Sequence, residues 1–212
     1  MALSTGALST VNITGRDLSL VDSANYYVAV TATPGTGQIT GNPTALVQTT
    51  PVLVVFNGGL LNVYLLYLKL SETVVGGGAA VKNFTHSIDQ GNRFSSGGAA
   101  LTVNNTNPMS GTKSSTQVNF GAVTALAATN NARTLCNQWF RSGTDVVGDV
   151  YEFHYGAPLG SAIGSQVATV AHFARCAPGI CLQPQSSYVL NIWSGTFTQG
   201  ITFEVQLAFA EK

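Results

Sequence analysis

ITFEVQLAFAEK, residues 201–212, is written in a period of two: Ile201, Phe203, Val205, Leu207 and Phe209 point one way, and Thr202, Glu204 and Gln206 the other. Such alternation belongs to a strand in a sheet with one buried face. Moving outward from it, KNFTHSID sets Phe84 and Ile88 on one side near His86. VGDVYEFHYG sets Val147, Asp149, Tyr151, Phe153 and Tyr155 on one face and Val150, Glu152 and His154 on the other. Further strands are expected around residues 26–33, 52–56, 61–72, 116–123, 134–141, 166–173 and 188–195, about ten in all, while the helical period is scarcely seen. Turn clusters such as ATPGTGQITGNP, VVGGGAA, QGNRFSSGG and NTNPMSGTKSS break the chain at the short intervals that a β-sandwich requires. Only GAVTALAATNNA, residues 121–132, is rich enough in alanine to suggest a short helix, with an irregular crossover as its alternative.

These signals predict one all-β domain, a jelly-roll-like antiparallel β-sandwich over residues 28–212. It is preceded by an extended arm over residues 1–27, which is polar and lacks a strong alternating pattern. No linker divides the chain, and 212 residues with 45% hydrophobic content suffice for a sizeable core. The apolar run at 52–70 is interrupted by Asn57, Gly58, Gly59, Asn62 and Lys69, so it reads as two strands joined by an Asn-Gly-Gly turn and not as a membrane span. The N-terminus lacks the basic segment and apolar core of a secretory signal, so the chain is expected to fold where it is made.

Charge is scarce. Asp, Glu, Lys and Arg make up 8% of the residues, and nine acidic groups balance nine basic ones. A chain without net field has little to offer a phosphate backbone or an anionic membrane, so neither nucleic acid nor membrane is expected as a partner. A nearly uncharged surface gives a free monomer little repulsion against its copies and suits a subunit of an assembly.

Chemistry-bearing motifs are few. No G-x-S-x-G elbow, phosphate-binding loop or H-E-x-x-H pair occurs. Glu152 and His154, with Asp149 nearby, share a strand face as a carboxylate–imidazole pair would, yet exposed strand positions carry such residues without catalysis. HFARCAPGIC brings His172, Cys176 and Cys181 within ten residues, but the spacing fits no C-x-x-C knuckle and a fourth ligand is missing. The stretch therefore reads as a structural turn at Pro178 and Gly179. Cys176 and Cys181 pair or stay reduced, and at least one of the three cysteines, Cys136 included, is a thiol. No enzyme activity, cofactor or metal is expected. The sequons at Asn12, Asn83 and Asn104 arise by chance in a chain so rich in Asn, Ser and Thr. Trp139 and Trp193 each sit in a strand, as core, interface or sugar-stacking residues.

Three stretches carry a likeness. SIDQGNRFSSGGAALT (residues 87–102), VVGDVYEFHYG and the closing YVLNIWSGTFTQGITFEVQLAFAEK resemble segments of virion structural proteins of tailed bacteriophages, over roughly residues 63–212. The resemblance implies a capsid decoration, or cement, protein of jelly-roll type. Such a protein is made in the host cytoplasm, binds the outside of a major capsid protein shell and commonly forms homotrimers. In that setting Asp89, Arg93 and Phe94 are candidates for an interface, Asp89 and Arg93 either pairing across the turn to hold its shape or bonding a neighbour. The alternative is a receptor- or glycan-binding module of a tail fibre or spike.

Overall fold

The computed structural model describes residues 16–41, 43–76, 81–141, 146–156, 164–167 and 170–212. In chain order these form α1 (Arg16–Asp22), β1 (Tyr26–Val30), β2 (Gln38–Ile39), β3 (Leu53–Asn57), β4 (Val63–Val74), β5 (Val81–Gln90), β6 (Phe94–Ala100), β7 (Val103–Asn105) and β8 (Thr116–Ala125). They continue with β9 (Arg133–Arg141), β10 (Val150–Tyr155), β11 (Gly164–Val167), β12 (Val170–Ala177), β13 (Ile180–Leu182), β14 (Ser186–Trp193) and β15 (Thr202–Glu211). The expected all-β sandwich is what the chain forms. One sheet runs β11-β12-β10-β4-β15-β1-β7, with β13 added on β4 and β2 on β15; the other runs β6-β8-β3-β14-β5-β9.

The fully antiparallel expectation needs one correction, because β10 and β12 pair in parallel. β11 lies outside β12 and pairs with it in antiparallel fashion. No described helix is long and apolar enough to cross a membrane.

Alternation builds the core. Ile201, just before β15, and Phe203, Val205, Leu207 and Phe209 within it are all buried in the core between the sheets, as are Phe84 of β5 and Tyr151, Phe153 and Tyr155 of β10. Transfer of such apolar surface out of water is the main stabilising term, about 25 cal/mol for each Å². On β4 a register shift opposite Ala208 and Phe209 leaves Leu66 without a β15 partner, and Leu66 packs with Leu20 of α1 and Ala210. This bulge docks the helix. Of the segment expected to be an extended arm, residues 16–27 thus include a short helix and the start of a strand, both held on the chain's own larger sheet. The rest of that expectation concerns residues 1–15, which lie outside the described residues.

Three local expectations change. The end of GAVTALAATNNA is irregular, and its first part completes β8, because pairing with β6 overrides the helix preference of alanine. QGNRFSSGG is only partly a turn: residues from Phe94 on pair with β8 as β6, where Gly97 and Gly98 adopt φ of 75° and 65° at a register shift. A Cβ on Gly98 would lie 2.9 Å from the Phe120 carbonyl oxygen, so β6 approaches β8 this closely only with glycine there. The two strands flanking Asn57, Gly58 and Gly59 are present but lie in opposite sheets, so the turn is a crossing and not a hairpin. Asn57 holds it by donating to the carbonyls of Leu61 (2.7 Å) and Leu182 (2.9 Å).

Candidate functional site

Asp89 ends β5 and Arg93 begins the approach to β6, four residues on. Both are buried, and Arg93 Nη1 lies 3.0 Å from Asp89 Oδ2. Each group reaches further. Arg93 donates from Nε to the Leu126 carbonyl (2.9 Å) and from Nη2 to the Gln48 carbonyl (3.1 Å), while Asp89 accepts from the N–H and the hydroxyl of Thr129. The backbone N–H of Arg93 bonds Ser187 Oγ at 3.0 Å. One ion pair therefore clamps the 43–52 and 126–132 segments onto the β5–β6 turn. Burial by itself raises the Asp89 carboxyl, but the bonds from Thr129 and Arg93 outweigh it and hold the group below the usual aspartate value.

Of the two roles open to this pair in the sequence, the geometry shows the first, the shaping of its own turn. Phe94 is half-buried, packed on Val54, Val123 and Val189 at the outer face of the smaller sheet. Arg93→Ala is expected to destabilise the chain by roughly 2–3 kcal/mol, because it strands a carboxylate and two carbonyls under a thin layer of loop. Arg93→Lys should recover only part of this, since an ammonium cannot serve three acceptors in a planar fork. Urea unfolding reads the effect, and an Arg93→Ala midpoint equal to that of the parent would remove the clamp from this account.

A second cluster lies on the outer face of the larger sheet. Strand pairing sets Tyr67 and Lys69 of β4 beside His154 and Glu152 of β10, with β12 on the other side. Glu152 Oε2 lies 3.0 Å from His172 Nε2 and 3.8 Å from His154 Nε2, and Glu152 Oε1 accepts from the Tyr67 hydroxyl at 2.8 Å. Burial raises the Glu152 carboxyl, yet Tyr67, His172 and Lys69 more than offset this and leave it below the ordinary glutamate value. Burial and the carboxylate push the Tyr67 hydroxyl well up, so Tyr67 stays a proton donor.

The pairing of Glu152 with His154 is legible as two residues on one strand face. His172 and Tyr67 come from other strands and were not grouped with them by sequence. Both histidines are about half exposed on an open sheet face, with side chains 46% and 48% accessible. The two largest grooves described, of about 740 and 530 Å3, are lined by residues of other elements. Among the described residues no group of three His, Cys, Asp or Glu is placed to hold a metal ion. The arrangement orients two imidazoles around one carboxylate and offers no enclosed space for a reacting substrate.

The cysteines are free thiols. Cys181 is exposed, and burial raises the Cys136 thiol, which keeps it protonated and weakly nucleophilic. HFARCAPGIC spans the end of β12, the bend at Pro178 and Gly179, and β13. Trp139, on the edge strand β9, is 63% exposed, whereas Trp193 is half-buried and donates from Nε1 to Thr85 Oγ1 at 3.2 Å. Two pairings that the sequence left unread sit between the sheets. Lys82 of β5 meets Glu72 of β4 at 3.0 Å, and His86 Nδ1 lies 2.8 Å from the Tyr188 hydroxyl, which in turn is 2.8 Å from that of Tyr155.

No protein-family model, curated protein or solved structure matches the chain.

Proposed function

We propose that the chain is a non-enzymatic virion structural protein, a capsid decoration protein that binds the outside of a major capsid protein shell as a homotrimer. The jelly-roll order of its sandwich and its place on the virion belong to the same reading. One observation carries it: the protein uses much of its scarce charge inside itself and shows apolar side chains outside. Asp89, Arg93, Glu72 and Lys82 are buried in pairs, and Glu211 is buried where it accepts from Thr116. Meanwhile Leu60 is 93% exposed and Met109 92%, with Ile39, Leu61, Trp139 and Val147 also largely uncovered.

Large apolar groups on a weakly charged surface are a liability for a lone subunit and an asset for one packed among neighbours. A stiff two-sheet core with clamped loops also suits a subunit that carries load without chemistry. Symmetric copies bound to a shell add weak contacts through effective concentration, so no single tight site is required.

Sedimentation velocity at micromolar concentration is expected to show a trimer, and electron microscopy of particles carrying the protein to show copies spaced regularly across the head. A monomer would overturn the oligomer. Copies confined to a tail tip would replace the decoration reading with that of a receptor-binding module.

A further inference from the structure

The larger groove, about 740 Å3, is lined by β6 and β8 of the smaller sheet, by β7 of the larger sheet and by the segment after β7. Its size is that of small-molecule sites. In β8, Val118 and Phe120 are buried in the core, so alternation sends Gln117 and Asn119 to the opposite face, where both line the groove. Asn119 is only 6% exposed, yet its side-chain amide bonds no described residue. A primary amide carries two donors and an acceptor, and those of Asn119 are not sealed from solvent, so they are open to a ligand in the groove.

The surroundings narrow what completes it. Phe94 forms one end of the groove and is held in place by Val54, Val123 and Val189. Asn105 and Asn107 are spent bracing the wall, donating to the carbonyls of Ala24 (2.8 Å) and Val21 (3.4 Å), so the groove is preformed. Thr102, Asn104 and Gln117 remain exposed along it. Lys113 is the one ionic residue among the described lining, which suits neither a phosphate nor a cation, and the amides and hydroxyls disfavour a purely apolar ligand. Neutral polar groups beside an aromatic ring match a sugar, whose hydroxyls pair with amides and whose C–H faces lie on a ring. In the β6–β8 register Phe94 stands opposite Ala125 and Ala100 opposite Asn119. Phe94 nevertheless packs on Val54, which pairs with Asn119, so its ring stands near the amide, and a groove of about 740 Å3 has room for more than one sugar unit.

We propose that this groove binds a neutral oligosaccharide, with Asn119 bonding its hydroxyls and Phe94 giving it a stacking face. The site is independent of where on a particle the protein sits.

The test is titration of the full chain with cellotetraose, maltotetraose and chitotetraose, followed by 15N NMR. At least one probe should bind with Kd of about 1 mM or tighter and shift the Asn119 side-chain amide. Asn119→Leu and Phe94→Ala should each weaken binding about tenfold or more. Gln117→Ala, at an exposed position that leaves folding intact, should weaken it measurably, and Trp139→Ala should leave it unchanged. Absence of binding by all three probes overturns the proposal, as does binding that survives Asn119→Leu and Gln117→Ala. Binding abolished by Trp139→Ala instead would move the site to β9 and equally overturn it. Trimer formation and shell decoration are read in other assays, so failure there leaves this result standing.

Discussion

Lys82→Met is expected to lower the unfolding free energy by about 3–5 kcal/mol, the range for removing one partner of a buried ion pair. Lys82 is 1% exposed, its ammonium lies 3.0 Å from Glu72 Oε2 and donates to the Tyr151 hydroxyl at 3.0 Å, and it sits 5.2 Å from the centre of the Tyr151 ring. It thereby ties β5 of one sheet to β4 and β10 of the other. Methionine fills similar volume, so little of the loss would come from a cavity. The loss would come from the Glu72 carboxylate, whose side chain is 0% exposed and would lose the Lys82 ammonium. Glu72→Leu combined with Lys82→Met should regain part of the stability, because it removes the carboxylate that the single change leaves without the ammonium. Urea unfolding of the parent and the two variants decides it, and a Lys82→Met protein within about 1 kcal/mol of the parent would show that the pair is not held in the interior.

Acidification should act mainly through His86. Its ring lies between the sheets, 4.8 Å from that of Phe153 and 6.1 Å from that of Tyr155, and hydrogen-bonds Tyr188. Burial pushes the imidazole down to about 3, against about 6.5 in an unfolded chain. Between those values the unfolded state takes up a proton that the folded state refuses. The stabilisation is therefore complete above about pH 6.5 and falls by about 1.4 kcal/mol for each unit of acidification below it. From pH 6.5 to 4.5 the loss is roughly 2–3 kcal/mol, a large part of the margin of an ordinary domain.

Asp89 and Glu152 are shifted down from the carboxylate range, so their contributions persist above that range and are lost only at lower pH. Unfolding midpoints at pH 7, 6, 5 and 4.5 separate the two effects. His86→Phe should flatten the slope between pH 6.5 and 4.5 whatever it does to absolute stability. A parent protein with no slope there would contradict the account.

What the amino-acid order determined by itself is the set of faces. Phe203 and Phe209 are inward, and Gln206 outward, because a strand's side chains alternate whatever it pairs with. The same rule made Glu152 and His154 neighbours. Applied to KNFTHSID, it puts Lys82 on the side of Phe84 and His86, and it puts Glu72 with Leu68 and Leu70, so both buried charges were legible as inward positions.

Tertiary structure alone decided who meets whom. Lys82 finds Glu72 only because β4 and β5 fall in opposite sheets that stack, and Glu152 finds His172 only because β12 lies beside β10. Asp89 and Arg93 stand four residues apart in a turn, and nothing local distinguishes a pair that faces a neighbour from one clamped by Thr129 and the Gln48 carbonyl. The alanine-rich run from Gly121 turned to strand for the same reason, since pairing with β6 outweighs a helix preference of a few tenths of a kcal/mol per residue. Alternation is a property of one strand's backbone, whereas sheet order and stacking come from contacts between distant segments, so the first can be read along the chain and the second cannot.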